Sequence, residues 1–121
     1  MTALLGAAAL SLITFAIHVF AGGPDVARPL LAAELDPVVK LTMYYGWHIV
    51  SLVLLAMPAG FALAALRPES RELAVLMTAL AGAFGVWGLA LMLWKRQRVR
   101  DLPQWLLFLP ISALGLLGVW R

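Results

Sequence analysis

The stretch LTMYYGWHIVSLVLLAMPAGFALAAL, residues 41–66, decides the fold because it contains no Asp, Glu, Lys or Arg. At about 1.5 Å per helical residue, it is long enough to cross a hydrocarbon core of about 30 Å. Three more charge-free runs lie on either side of it, at residues 1–24, 73–94 and 102–120. The sequence therefore predicts an all-α polytopic membrane protein, with four transmembrane helices packed as a bundle in a single domain.

The composition agrees with a membrane protein and excludes several classes of chemistry. Hydrophobic residues make up 64% of the 121 positions and charged residues 12%, about half of the roughly 25% that is usual in soluble domains. The absence of cysteine excludes disulfide exchange, iron–sulfur clusters and thiolate metal sites on this chain. The net charge of +3 is interpreted as topology signals beside lipid headgroups, so no nucleic-acid partner is expected.

The helix boundaries follow from charges, glycines and prolines. The Gly-Gly-Pro sequence at residues 22–24 should stop the first helix. The segment ARPLLAAEL, residues 27–35, predicts a short interfacial helix in the first loop that residues 36–37 end, with a packed loop as the alternative. The four transmembrane helices are predicted at about residues 2–20, 39–66, 71–94 and 102–120.

The distribution of basic residues predicts the orientation in the membrane. The first and third loops hold six Lys and Arg, whereas the second loop holds two and the C-terminus has Arg121. The positive-inside rule therefore places loops 1 and 3 in the cytoplasm and both termini outside. The segments GGPDVARPLL, YYGWHIV and LPQWLLF are interpreted as typical of a bacterial inner-membrane protein. The basic cluster at residues 95–100 is read as a topology anchor, with an anionic-lipid site as the alternative.

The two histidines are the clearest candidates for chemistry, since both fall inside predicted membrane helices. His18 and His48 lie near the same end of successive helices, at depths that differ by about one turn. Polar residues share a helix face with each of them: Ser11 and Thr14 on the first helix, Tyr44 and Ser51 on the second. Polar side chains in a bilayer usually face the interior of a helix bundle. We therefore expect these two stripes to face one interior site.

Four interpretations of that site stay open at this point. In the first, the histidines form structural hydrogen bonds that hold the helices in register. In the second, His18, His48 and Tyr44 bind a haem b with imidazole ligands. A third interpretation adds the loop carboxylates to a metal or proton site: Asp25, Glu34 and Asp36. The fourth is a lipid or quinone pocket framed by Trp47 and Tyr45. No carboxylate is spaced three or four residues from a histidine, so no metal site is predicted.

Small residues on the third helix predict a close helix contact. Ala74, Thr78 and Gly82 form a small-xxx-small row, and Trp87 is expected to pack against the neighbouring glycines. The chain is too short for a separate soluble domain. The sequence therefore predicts a non-enzymatic subunit or accessory factor, in contact with membrane lipids and with its own copies or a larger membrane complex. The alternative is an intramembrane redox protein that binds haem, metal or quinone.

Overall fold

The computed structural model describes residues 1–121, and 85% of them are helical, with no strands. The predicted all-α class is thus confirmed. Three helical segments are long and apolar enough to cross a membrane: Thr2–Ala32, Pro37–Leu66 and Pro68–Trp94. The α-helices are α1 (Thr2–Phe20), α2 (Arg28–Ala32), α3 (Pro37–Leu66), α4 (Arg71–Trp94) and α5 (Trp105–Trp120).

The first α-helix ends at Phe20, as predicted, but the chain does not leave helical geometry at residues 22–24. The backbone stays helical through Gly22 (φ −68°, ψ −31°) and continues in a π-helical turn, Gly23–Ala27. The wider π turn accommodates Pro24, which lacks the N–H that a regular α-helix requires. The helix predicted within residues 27–35 is consequently shorter, as α2, and it continues α1 as one 31-residue segment.

Residues 36–37 begin α3 and do not end the helix before it, as had been predicted. The Asp36 carboxylate accepts a hydrogen bond of 2.9 Å from the Val38 N–H, and Pro37 occupies the first helical position. Both features are typical of helix starts. These residues therefore begin α3, two positions before the predicted start, whereas α2 has already ended at Ala32, where Ala33 becomes extended.

The last helix is shorter than predicted because it begins at Trp105 rather than near residue 102. A proline disfavours helical geometry in the residue before it, so Pro103 keeps Leu102 outside the helix. The 16 residues of α5 extend about 24 Å at 1.5 Å per residue. That length is below the roughly 30 Å of a typical hydrocarbon core.

The four long helices form a closed cycle of contacts. α1 packs against α3 and α5, and α4 packs against the same two helices. The largest fully buried side chains are Phe61, Leu54, Met57 and Ile111. The two ends of the molecule differ. We call the end with the α3–α4 turn and both termini the termini end, and the opposite end, with the first loop and the Lys95–Arg100 loop, the basic end.

The small-residue row on α4 packs against α5 of the same chain. The Ser112 hydroxyl donates to the Thr78 carbonyl at 3.1 Å, and a Cβ on Gly85 would lie 2.6 Å from the Leu109 side chain. Trp87 does not take part, since 60% of its surface is exposed. Its predicted packing against these glycines is wrong because it lies about 200° around the helix from Gly85, on the outer face.

Candidate functional site

His18 connects α1 to α3 through a short chain of polar contacts. Its Nε2 lies 2.9 Å from the Ser51 Oγ, and the Ser51 hydroxyl donates to the Trp47 carbonyl at 3.1 Å. A serine hydroxyl has only one proton to donate. With that proton directed to Trp47, the neutral His18 ring that completes the contact is the one that carries its proton on Nε2 and donates it to Ser51, which leaves Nδ1 as the acceptor nitrogen. This bridge ties the basic-end halves of the two helices together.

The indole of Trp47 completes the surroundings of His18. The two rings are stacked, with centroids 4.0 Å apart and planes 19° from parallel. Gly22, one turn beyond His18, makes room for the indole, since a Cβ on Gly22 would lie 2.7 Å from the Trp47 Cη2. The pairing of Trp47 with His18 was not predicted from the sequence. The signal for that pairing was the spacing of four residues between His18 and Gly22, which puts both on one helix face.

The two polar stripes meet only at the contact between His18 and Ser51. Ser11 and Thr14 are buried as expected, but each hydroxyl donates to its own helix, to the carbonyls of Ala7 (2.7 Å) and Leu10 (2.9 Å). Such bonds to the preceding turn satisfy a hydroxyl without a partner on another helix. These two residues therefore contribute packing and no free polar group to the site.

His48 lies apart from His18. Its ring is exposed and meets Tyr44, one turn earlier on α3, edge to face, with centroids 4.5 Å apart and an angle of 86°. Trp47 separates the two histidines, because it lines the cavities on both of its sides. Tyr45, by contrast, is 68% exposed and lines neither cavity. Of the two residues expected to frame a pocket, only Trp47 does so.

Two cavities flank Trp47 at the basic end. We call the larger one, about 540 Å³ between α1–α2 and α3, the outer groove. The smaller one, about 260 Å³ between α1, α3 and α5, is the inner cleft. His48, Tyr44 and Arg28 line the outer groove, whereas His18, Gly22 and Gln104 line the inner cleft. His18 of α1 therefore contacts α3 on its inner side, whereas His48 of α3 faces the outer groove.

This geometry bears on each interpretation of the histidines. A single haem iron held between the imidazoles would require both rings to face one cavity, and here they face two. No group of three or more His, Asp or Glu side chains is close enough to hold a metal ion. Asp36 caps α3 and lines neither cavity. Cofactor binding by His18, His48 and Tyr44 stays a prediction, and structural hydrogen bonding describes His18 more directly.

Comparisons with known proteins do not add a relative. No protein-family model matches the chain, and no curated protein or solved structure matches it. Function is therefore inferred from the geometry of this chain alone.

Proposed function

We propose that the chain is a small multi-pass protein of the bacterial inner membrane that acts as a non-enzymatic helical subunit or accessory factor of a membrane complex. In this proposal all four long helices cross the membrane as a four-helix bundle. The short α5 crosses because α1 and α4 pack along it on both sides, and local thinning of the bilayer compensates for its length at a modest cost.

The proposed orientation places the basic end in the cytoplasm. Arg28, Lys40 and the four basic residues of the loop after α4 lie at that end, against Arg67, Arg71 and Arg121 at the other. The guanidinium of Arg71 is already used at the termini end, where it donates to the Val119 carbonyl at 2.8 Å and 3.3 Å. The positive-inside rule then favours loops 1 and 3 on the cytoplasmic side and both termini outside.

One observation carries the proposal: the polar groups of the helix interior bond within the chain, apart from the buried Thr78 hydroxyl, which has no partner, while large apolar side chains cover the outer faces. Ser11, Thr14, Ser51 and Ser112 donate to backbone carbonyls, and Trp105 donates to the Met92 sulfur. Exposed apolar residues occur on every long helix, for example Leu12, Leu52, Leu76 and Leu116. Such a surface fits lipid or a partner helix.

A second candidate function is an intramembrane redox or ligand-binding protein that uses His18, His48 and Tyr44. The observation that favours it is the presence of a cavity on each side of Trp47, with a histidine in each. The cofactor would be a quinone in one of the cavities, a metal, or a haem b with one of the two histidines as its protein ligand. A visible absorption spectrum of the purified protein tests the haem form of this candidate, because haem absorbs strongly in the visible range and the polypeptide does not.

The subunit proposal predicts that the chain migrates in a discrete assembly when it is produced at its native level. Membranes solubilised in digitonin and separated on a native gel should show the 13.1 kDa chain in a band several times heavier than one copy in a micelle. Strong overproduction serves as the control. If the chain forms a homo-oligomer, the overproduced chain migrates in the same band. If it is a subunit of a larger complex, its partners become limiting, and the excess migrates as free chain. Migration as a single copy at both levels would contradict the proposal.

A further inference from the structure

We propose that the outer groove binds one anionic phospholipid, with the phosphate at Arg28, Tyr44 and His48 and an acyl chain along the apolar floor. This site goes beyond the subunit role, which needs only a generally apolar surface. The proposal depends on the shape of the groove, on its unpaired polar groups and on the charge of the end at which it opens.

The groove has the shape and position that a lipid chain requires. It lies on the other side of Trp47 from the inner cleft, so it opens away from α5. Phe15 and Val19 of α1, both half-buried, form its floor, and the more exposed Leu52 and Leu55 of α3 form its rim. From Tyr44 to Leu55, α3 extends about 16 Å at 1.5 Å per residue. That distance matches one leaflet, which is half of a hydrocarbon core of about 30 Å.

The polar groups in the upper part of the groove lack partners within the chain. The side-chain hydrogen bonds of the protein involve other residues, and none includes the Arg28 guanidinium, the Tyr44 hydroxyl or the His48 ring nitrogens. A lipid phosphate supplies acceptor oxygens for all three donors, and the planar guanidinium suits it especially well.

The charge of the basic end favours an anionic lipid over a zwitterionic one. Lys40, Lys95, Arg96, Arg98 and Arg100 lie at the same end as Arg28, and basic residues near a membrane surface attract anionic lipid. The acidic residues of the same end, Asp25, Glu34, Asp36 and Asp101, leave it with a net charge of +2, and none of them lines the groove. Phosphatidylglycerol, which has one net negative charge on its phosphate, is therefore the probe of choice.

Thermal unfolding in an uncharged detergent tests the site. Dioleoylphosphatidylglycerol should raise the Tm of the parent by about 4 °C or more. Dioleoylphosphatidylcholine should raise it by less than half as much, and inorganic phosphate should have no effect. Equal shifts with the two lipids would overturn the anionic preference. A full shift with inorganic phosphate would overturn the role of the acyl chain.

Matched variants separate the groove from the basic surface in general. Arg28→Gln should abolish the shift caused by phosphatidylglycerol, whereas Arg98→Gln removes the same charge from an exposed position outside the groove and should retain it. Leu52→Trp, which enlarges an apolar side chain at the rim of the groove without a change in charge, should weaken the shift. Native mass spectrometry should find one phosphatidylglycerol on the parent and on Arg98→Gln, and none on Arg28→Gln. An equal loss in Arg28→Gln and Arg98→Gln, or an undiminished shift in Leu52→Trp, would overturn the proposal.

Discussion

Replacement of Gly115 by leucine is expected to lower the free energy of unfolding by about 3 kcal/mol. A Cβ at this position would overlap the Thr78 hydroxyl oxygen and lie 3.1 Å from the ring of Phe61, which is fully buried. Neither neighbour can move easily, since both are packed within the core that α3, α4 and α5 share. Thermal or denaturant unfolding in detergent measures the loss.

Gly46→Leu is the matched control for that variant. It makes the same chemical change inside a helix, but a Cβ on Gly46 meets no atom within 4 Å. We expect a change of less than about 0.5 kcal/mol, as for other substitutions on an open surface. If the two variants unfold at the same temperature, α5 does not pack against α4 and α3 as described.

His18→Ala is expected to destabilise the protein by about 2 kcal/mol without any change in its absorption spectrum. The variant loses the hydrogen bond to Ser51, worth about 1 kcal/mol, and the stacking on Trp47 at 4.0 Å, worth about another 1 kcal/mol. It also leaves the Ser51 oxygen with one partner fewer. Unfolding and a visible spectrum of the same purified sample give both results.

His48→Ala provides the comparison. His48 is exposed, and its aromatic contact is with Tyr44 on its own helix, so a loss of less than about 1 kcal/mol is expected. The haem interpretation predicts a different pattern, namely a Soret band in the parent that either substitution weakens. An effect of His48→Ala on stability as large as that of His18→Ala would contradict the structural role assigned here to His18.

The helices could be predicted from charge alone, but some of their boundaries could not. The four charge-free runs marked α1, α3, α4 and α5 because uninterrupted apolar length is a local property of the sequence. The Gly-Gly-Pro sequence at residues 22–24 correctly marked the end of α1, but local rules also treat it as a break in the helical path. The structure continues that path through a π turn, and α2 packs against α3, a packing contact that local rules do not include.

The site could be predicted only in part for a similar reason. Helical periodicity correctly placed Ser11 and Thr14 in the interior, because burial repeats with the turn of a helix. It did not reveal that His18 would meet Ser51 rather than His48. That choice depends on the rotation of α3 about its axis, which the fit between Gly22 and Trp47 helps to set. A contact between a glycine and a large side chain on another helix becomes visible only in three dimensions.

The central claim is that all four long helices cross the membrane, and labelling of single cysteines tests it most directly. The chain has no cysteine of its own, so Ser70→Cys, Val99→Cys and Trp120→Cys each introduce a unique thiol without removing a charge. In intact cells, a membrane-impermeant maleimide should label positions 70 and 120. Position 99, in the loop between α4 and α5, should react only after the cells are permeabilised. Labelling of positions 99 and 120 from the same side would show that α5 does not cross, and would contradict the four-span account.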